Sequence, residues 1–420
     1  MKKALIISPY FVPSNAPDMQ RIRMSLPYFK EFGWEVEIVS CHPKYYETIT
    51  DPILLKTIPS DTKIHHVSAF NKRLTSKLGL GSLALRSLWF YKKKVNQILK
   101  YKKFDLIYFS TTQFPVCILG PYWKRKFNIP FVIDLQDPWH TEYYRNRPKE
   151  EQPPKYWFSY RLNKWMEPLA LKQCNGLISV SLQYIHDLHE RYNQLKNVPF
   201  EIITFGFSEI DYAIAKHLNS AELETNKLKL KYIGVLGKMM NISLTSLFTA
   251  ANEIPNFDKD FKLIFKGTSY DNNSNEKKAI NIASRIGNFD IEEQSKRIGM
   301  INVLAELENS DGLIILGTDD PSYTASKIYP YIQSEKPILA ILHTQSSAYH
   351  ILNDITSATV IPIDASSIEM TNKLDLFLEQ VKSKKKLVVD HEKFKNFSAK
   401  SLTQKQVELF EKSLAFKQVY

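Results

Sequence analysis

The stretch SKIYPYIQSEKPILAIL, residues 326–342, has the pattern of a short helix followed by a turn and a buried strand. Its run ILAIL is apolar and short, which is typical of a strand covered on both faces of a parallel sheet. Pro330 conflicts with the helix. If Thr324 caps that helix, Pro330 is its sixth residue and removes a hydrogen bond, at a cost of about 3 kcal/mol. If the helix begins at Pro330, proline is favourable there. We expect a distorted helix start.

Strand and helix patterns alternate on both sides of this stretch. Before it, short apolar runs predict strands at residues 3–10, 35–40, 64–70, 104–110, 130–135, 176–181 and 201–205. In the second half, similar runs predict strands at residues 228–237, 261–268, 311–318, 336–343 and 358–364. Helix-length segments separate them, and one of these, residues 19–33, ends on Gly33. The alternation predicts an α/β fold with two Rossmann-like domains facing each other across a cleft.

The chain is long enough for two domains. It has 420 residues, which suits two domains of about 200 each. The rhythm weakens after residue 205. We therefore predict an N-terminal domain at 1–205, a linker at 206–228, a C-terminal domain at 229–395 and a C-terminal helix at 396–420 that packs back on the N-terminal domain.

The charge and the cysteine content indicate which partners and which cellular compartment to expect. The net charge of +12 favours an anionic partner, such as a phosphorylated small molecule, nucleic acid or an acidic membrane face. The three scattered cysteines indicate a reducing compartment, and we expect a cytoplasmic protein. The first apolar run, ALII, is too short for a leader or a membrane span. His186 and His189 lie three residues apart with Asp187 and Glu190 beside them, but no second ligand group matches them, so we read a solvated helix face and predict no metal site.

Two loops of the N-terminal half carry candidate acceptor-binding residues. Ligands of such sheets bind beyond the carboxyl ends of the strands. The loop PYFVPSNAPDMQRIR follows the first strand and offers Ser14, Asn15 and Arg21, either as a wall of the cleft or as a rigid loop with a helix cap. DLQDPWHTEYYR follows the fifth strand. There, Asp137 and His140 could transfer protons or hold sugar hydroxyls, and Trp139 could stack on a sugar ring, although Asp-Pro also simply starts turns.

The C-terminal half carries candidate residues for an anionic ligand. A helix start near Ser326 and Lys327 could bind a diphosphate through free N–H groups, with Thr324 as cap, although an ordinary surface helix would show the same residues. Gly237 permits close approach of a ligand, and Lys238 could reach a phosphate, but the spacing of a P-loop is absent. Gly267, near the end of the strand predicted at residues 261–268, is a further candidate for binding the anionic ligand.

Residues 83–104 form an amphipathic, lysine-rich segment. Its apolar stripe could lie on an anionic membrane, or could pack on the sheet with the lysines in water. A nucleic-acid surface would need basic residues interleaved with aromatics along one face, and no other segment comes near that pattern. Salt-dependent DNA binding that is lost in a Lys92, Lys93, Lys94 triple alanine variant would support that alternative. We expect no nucleic-acid partner.

Taken together, these motifs resemble the GT-B glycosyltransferases, in particular family 4 of bacterial surface-polysaccharide synthesis. The resemblance rests on PYFVPSN, DLQDPWH and SKIYPYIQSEKPILA, and it covers nearly the whole chain. It implies a nucleotide-sugar donor in the second domain, with Ser326 and Lys327 at its diphosphate, and a glycan or lipid-linked acceptor in the first. It also implies transfer with retention, no metal and no cofactor, on the cytoplasmic side of the membrane, with Asp137 between donor and acceptor and His140 beside it.

Three departures from that family pattern concern the donor site. Pro330 stands where the family has a glutamate that holds the ribose, and Glu335 stands where a glycine is usual. Val235 and Met240 stand near the places of the Arg and Lys that hold the diphosphate. The expected function is therefore a glycosyltransferase, and the alternative is a degenerate member of the fold that acts as a scaffold or partner.

Overall fold

The computed structural model describes residues 1–142, 145, 148–149, 152, 155–218, 226–269, 275–321 and 326–416. The strands are β1 (Lys2–Ile7), β2 (Trp34–Cys41), β3 (Lys63–Val67), β4 (Leu106–Ser110), β5 (Phe131–Leu135), β6 (Gly176–Ser179), β7 (Phe200–Ile202), β8 (Leu228–Ile233), β9 (Phe261–Lys266), β10 (Ile291–Gln294), β11 (Gly312–Leu316), β12 (Ile338–Leu342) and β13 (Thr359–Pro362). The helices are α1 (Gln20–Ser25), α2 (Lys72–Thr75), α3 (Leu83–Tyr101), α4 (Leu119–Phe127), α5 (Tyr156–Leu171), α6 (Leu182–Arg191), α7 (Glu209–Ala215), α8 (Asn241–Asn252), α9 (Phe257–Asp260), α10 (Lys278–Ala283), α11 (Met300–Glu308), α12 (Ile328–Gln333), α13 (Ser347–Ile355), α14 (Ser367–Lys382), α15 (His391–Phe394) and α16 (Ala399–Ala415).

The chain divides into two compact units. The first unit comprises residues 1–205 and 399–420, and the second comprises residues 206–398. The segment that the sequence indicated as a linker, 206–228, belongs to the second unit where it is described, and it contains α7, which Ser208 caps by accepting a hydrogen bond from Asp211 N. The C-terminal helix α16 belongs to the first unit.

The first unit is built on a seven-stranded parallel sheet of order β3-β2-β1-β4-β5-β6-β7. Its central strands, β4 and β5, are buried along their whole length, as their mainly apolar sequences predict. α16 packs on this unit through Phe410, whose ring lies 5.3 Å from Trp34 and 4.9 Å from Tyr108. The predicted α/β fold class is confirmed.

The second unit has a six-stranded parallel sheet of order β10-β9-β8-β11-β12-β13. The strands β11 and β12 are fully buried, and the core lies between the sheet and α8 and α14. The sequence missed one strand, β10, because its residues IEEQ lie at the sheet edge and are mostly polar. None of the helices in the described part of the chain is long and apolar enough to cross a bilayer.

Two predicted helices differ in detail from the observed ones. α1 ends at Ser25, and only turns continue to Gly33, because Pro27 cannot donate the hydrogen bond that a longer helix needs. α12 begins at Ile328, so Pro330 is its third residue. The first four amides of any helix lack a partner within the helix, and the missing N–H of Pro330 is one of these. Proline is therefore compatible with this helix.

Candidate functional site

The sheet of the second unit changes direction between β8 and β11. From β8 the chain proceeds to β9 and β10 on one side, and β11 to β13 follow on the other. In open α/β sheets, ligands bind beyond the carboxyl ends of the strands at such a point. The loop after β8 contains Gly234 and Gly237, and the loop after β11 leads through Gly317 to Lys327. These two loops form the candidate donor site.

Lys327 occupies the centre of this candidate donor site. Its Nζ donates a hydrogen bond to the Tyr232 hydroxyl at 2.9 Å and lies 4.0 Å from the centre of that ring. No carboxylate among the described residues forms an ion pair with it. Removal of the ammonium group from water lowers the pKa of Lys327 to about 7. An anionic ligand would offset the cost of removing this ammonium group from water, so the site favours binding of an anion.

The absence of a side chain at Gly234 leaves room for the ammonium group of Lys327. Gly234 has a φ of +141°, and a Cβ at this position would lie 2.8 Å from Lys327 Nζ. α12 is held at the same place, because Ile233 N donates to the Tyr331 hydroxyl at 2.9 Å. The helix therefore fixes Lys327 directly beyond the end of β8.

The other predicted donor residues lie around the same strand ends. Gly237 precedes a short 3₁₀ turn, and Lys238 within that turn is solvent-exposed. Gly267 follows β9 with a φ of +73°. Ser326 is exposed just before Lys327. Thr324 lies outside the described residues.

In the first unit, Asp137 lies two residues beyond the end of β5. Desolvation by the surrounding protein, together with the negative charge of Asp18, raises the pKa of Asp137 to about 6, although its surface remains accessible to solvent. Asp18 itself is buried and accepts hydrogen bonds from Thr111 Oγ1 at 2.8 Å and Thr112 N at 3.1 Å. Asp137 can therefore exchange a proton close to neutral pH.

His140 follows Asp137 by three residues and is buried. Neither of its ring nitrogens has a hydrogen-bond partner among the described residues. Its backbone N–H donates to Glu167 Oε2 at 2.9 Å, and its ring lies 4.9 Å from that of Tyr160. Burial, with the positive charge of Arg191 as the next cause, lowers the pKa of His140. The imidazole is therefore neutral at pH 7 and offers one donor and one acceptor, a pair suited to a hydroxyl group.

All four predicted acceptor residues have contacts within the first unit instead. Arg21 is buried, and its Nε lies 2.8 Å from Asp134 Oδ2. Ser14 is buried, and its Oγ lies 2.6 Å from Thr48 Oγ1. Trp139 is only 4% exposed and stacks on a phenylalanine ring inside the unit, so the sequence overstated its availability to a sugar. Asn15 is buried at the same loop and donates its backbone N–H to Ile49 O.

Comparison with solved structures shows which proteins share this architecture. An α,α-trehalose-phosphate synthase (UDP-forming) from Burkholderia vietnamiensis aligns with 99% of this chain and 100% of its own, with a TM-score of 0.64 and 11% identity. WaaG, a glycosyltransferase involved in lipopolysaccharide biosynthesis, aligns over 98% of both chains, with a TM-score of 0.55 and 15% identity. The chain has the GT-B fold.

The likeness concerns the fold alone. A UDP-N-acetylglucosamine 2-epimerase from Listeria monocytogenes, described as putative, also aligns with 97% of this chain, with a TM-score of 0.53 and 13% identity. No protein-family model matches the chain, and no curated protein matches it. A reaction for this GT-B protein must therefore be argued from its own residues.

Sequence reasoning missed several residues of the candidate sites. Tyr232 supports Lys327, but next to Ile233 in a predicted strand it looks like an ordinary core residue. Glu167 lies on α5, far from the loop it supports, and nothing in the local sequence indicates that role. Gly234 was missed because the strand predicted at residues 228–237 extends past it, whereas β8 ends at Ile233.

A cavity of about 760 Å³ lies elsewhere in the second unit, at the end of the sheet opposite to the candidate donor site. Asp311 and Pro337, which line it, immediately precede β11 and β12, so the cavity lies at the amino ends of these strands. Its lining carries both acidic and basic side chains, and Glu335 pairs there with Lys386 at 3.5 Å. This balance of charge does not favour a diphosphate, and we place the donor site at Lys327.

We expect His140→Gln to reduce the pH dependence of the first unit's stability. The unfolded chain protonates this histidine at a higher pH than the folded chain does, so native His140 lowers stability as pH falls below about 6.5. Glutamine keeps a donor and an acceptor but does not titrate. The melting temperature of the variant should fall less than that of wild type between pH 7.5 and pH 5.5, by roughly 2–4 °C for each kcal/mol of destabilisation that is avoided.

Tryptophan fluorescence is the suitable measurement, because all six tryptophans lie in the first unit. The matched control is His42→Gln, at an exposed position of the same unit. Equal pH dependence in the His140 variant and in wild type would show that His140 is not buried as a neutral ring.

Proposed function

We propose that this GT-B protein is a glycosyltransferase that moves a sugar from a nucleotide-sugar donor to a glycan or lipid-linked acceptor. In this proposal the second unit binds the donor and the first unit binds the acceptor. The WaaG likeness and the family resemblance of the sequence support a role in cell-surface polysaccharide synthesis on the cytoplasmic side of the membrane. Transfer is with retention and needs no metal or cofactor.

One observation carries the proposal most directly, the desolvated Lys327 beyond β8. A nucleotide-sugar leaves a nucleoside diphosphate behind, and the departing group gains negative charge in the transition state. Lys327 Nζ, fixed over Tyr232 and beside Gly234, is positioned before the reaction begins, and positioned charges are the most effective kind of catalytic group. Lys238, exposed in the turn after β8, adds a second cation.

The acceptor residues we propose are Asp137 and His140. The two ring nitrogens of the neutral His140 imidazole make no hydrogen bond among the described residues, and Nε2 lies 3.6 Å from Glu142 Oε1. The ring can both accept from and donate to sugar hydroxyls. Asp137, with its pKa near 6, is ionised in most molecules at pH 7 and can accept a hydrogen bond from the attacking hydroxyl. Together these groups orient the acceptor.

The proposed reaction breaks the bond between the anomeric carbon and the diphosphate oxygen and forms a bond from the same face to the acceptor oxygen. The acceptor proton passes to the departing diphosphate oxygen, so the products are a glycoside and a nucleoside diphosphate. No side chain becomes covalently attached to the sugar. The chain's own residues bind, orient and neutralise charge.

A second candidate is a degenerate GT-B protein that acts as a scaffold or partner. The observation that favours it is Pro330, which stands in the first turn of α12 where the resemblance implies a ribose-binding glutamate. The buried Tyr331, which holds the end of β8, cannot replace that carboxylate as a charge.

Calorimetric titration with UDP, GDP and ADP, first without metal and then with magnesium, tests the proposal. We expect micromolar binding of one of the three, and the same affinity with and without magnesium. That result would also identify the donor base. Absence of binding by all three to a folded sample, as judged by circular dichroism, would contradict the transferase proposal and favour the degenerate alternative.

A further inference from the structure

A long basic segment of the first unit contains no acidic residue. Between Asp61 and Asp105 there are eleven Lys and Arg residues and no Asp or Glu. The eleven are Lys63, Lys72, Arg73, Lys77, Arg86, Lys92, Lys93, Lys94, Lys100, Lys102 and Lys103. Four of them pair with acidic residues outside the segment, Lys63 and Lys102 with Glu37 and Lys72 and Arg86 with Glu47. The remaining excess of positive charge lies on α2, α3 and the residues around them. Such a segment attracts an anionic surface.

The apolar stripe of α3 is not available to such a surface. Its residues Leu83, Tyr91, Val95 and Ile98 are buried against the first unit. Of the two options that the sequence left open for residues 83–104, the structure therefore favours packing on the sheet. The exposed part of α3 is its Trp89 side, where Trp89 is 54% exposed and Lys93 Nζ lies 5.3 Å from its ring.

Large aromatic side chains are exposed on α5 as well. Trp157 is 65% exposed and Trp165 is 62% exposed. Arg161 lies between them at helical spacing, with its guanidinium carbon 5.8 Å from the Trp157 ring. The sole acidic residue of this helix, Glu167, is buried, so its exposed face is basic and aromatic.

Contacts connect the α3 and α5 regions. The Phe90 ring lies 4.9 Å from Trp89 and 4.9 Å from Phe70. The turn before α3 rests on α5, since a Cβ at Gly79 would lie 2.8 Å from the ring of Phe158. Phe158 in turn neighbours Trp157, with 5.9 Å between the ring centres. The two exposed aromatic groups therefore belong to one region of the first unit.

We propose that this region binds the surface of an anionic lipid bilayer. We define the aromatic–basic patch by its exposed members: Phe70, Leu74, Trp89, Lys92, Lys93, Trp157, Arg161, Lys164, Trp165 and Leu169. Tryptophan favours the boundary between headgroups and acyl chains, and lysine and arginine bind the anionic headgroups. The exposed Leu74 and Leu169 suit acyl chains and have no use against nucleic acid, which binds through stacking and phosphate contacts.

The proposal goes beyond the transfer reaction, and it is tested without any nucleotide or acceptor. Purified protein is mixed with vesicles of phosphatidylcholine alone or of phosphatidylcholine with phosphatidylglycerol, and bound protein is measured by flotation. We expect binding to the anionic vesicles alone, weakening as salt increases. A blue shift of tryptophan emission on binding would show that indoles enter the bilayer interface.

Two sets of variants distinguish binding through the aromatic–basic patch from attraction by the protein's net positive charge. Trp157→Ala with Trp165→Ala should weaken binding by about tenfold or more, because both indoles leave water on binding. Lys92→Gln, Lys93→Gln and Lys94→Gln together should also weaken it by about tenfold or more. The matched control changes another lysine triplet, Lys384, Lys385 and Lys386, to glutamine and removes the same charge from the second unit.

Three results would overturn the proposal. One is the absence of binding to anionic vesicles at low salt. Another is an equal loss from both lysine triplets, which would indicate attraction by net charge alone. The third is binding of DNA but not of vesicles, with salt dependence and with loss in the Lys92, Lys93, Lys94 variant, which would assign the patch to nucleic acid.

Discussion

We expect Lys327→Met to weaken the binding of the nucleoside diphosphate by about 100-fold at pH 7, since hydrogen bonds to charged groups contribute about 1.5–3 kcal/mol. Methionine keeps the apolar stem over the Tyr232 ring and loses only the ammonium group. Calorimetric titration of wild type and variant measures the difference. Lys385→Met is the matched control, because it removes an exposed lysine of the same unit from the opposite edge of the sheet.

Proton uptake gives a sharper signature of the same residue. Lys327 has a pKa of about 7 in the free protein, so at pH 8 about 0.9 of the molecules carry it neutral. A bound diphosphate stabilises the protonated form and raises this pKa. Binding at pH 8 should therefore take up close to one proton, and the affinity should decrease as pH rises above 7. Titrations in buffers of different ionisation enthalpy measure the uptake, which should disappear in the Lys327→Met variant.

Stability distinguishes a binding residue from a structural one. Because its pKa is lowered on folding, protonated Lys327 opposes folding at neutral pH, and its effect is largest below pH 7 and absent above about pH 10.5. Methionine removes that cost, so the variant should unfold at the same temperature as wild type or higher. An unchanged affinity and no proton uptake would show that Lys327 does not contact the diphosphate.

The strands were predictable because burial on both faces of a parallel sheet leaves a plain signal. The runs LIYFS and GLIIL are mainly apolar, and both form strands in which every residue is buried. β10 escaped detection because an edge strand needs no such run. Pro330 was ambiguous for another reason, since the position of a helix start depends on caps that lie in irregular backbone.

The candidate sites were less predictable than the sheets. The rule that ligands bind beyond the strand ends led us to predict Lys327, His140 and Asp137 as site residues, and these remain predictions. It could not separate them from Trp139, which follows the same strand as Asp137 and His140, or from Arg21, which follows β1, although both are buried in the first unit. Side-chain direction after a strand depends on the loop, and partners such as Glu167 come from distant parts of the chain.

The buried pair of Arg21 and Asp134 is where we expect the largest loss of stability. Asp134 Oδ2 accepts hydrogen bonds from Ser110 Oγ and Gln136 Nε2, both at 2.9 Å, and Arg21 Nε lies 2.8 Å from it. Asp134→Ala leaves the buried guanidinium without its carboxylate. Removing one partner of a buried ion pair typically costs about 3–5 kcal/mol, so we expect a loss of that size in the first unit.

Urea unfolding followed by tryptophan fluorescence measures this loss in the first unit specifically, because the second unit has no tryptophan. Asp61→Ala is the matched control, since Asp61 pairs with Lys30 on the exposed surface of the same unit and its removal should leave the transition unchanged.

The double variant decides what Arg21 does. Arg21 also donates to Ile203 O at 2.7 Å and Thr204 O at 3.1 Å, so it connects the start of the chain to the end of the first unit's main segment. Arg21→Met with Asp134→Ala removes both charges and should be less destabilised than the sum of the single variants, because no uncompensated ion remains. If Asp134→Ala instead unfolds like wild type, the pair is not structural. Arg21 would then be free to turn toward a ligand, as its position after the first strand suggests.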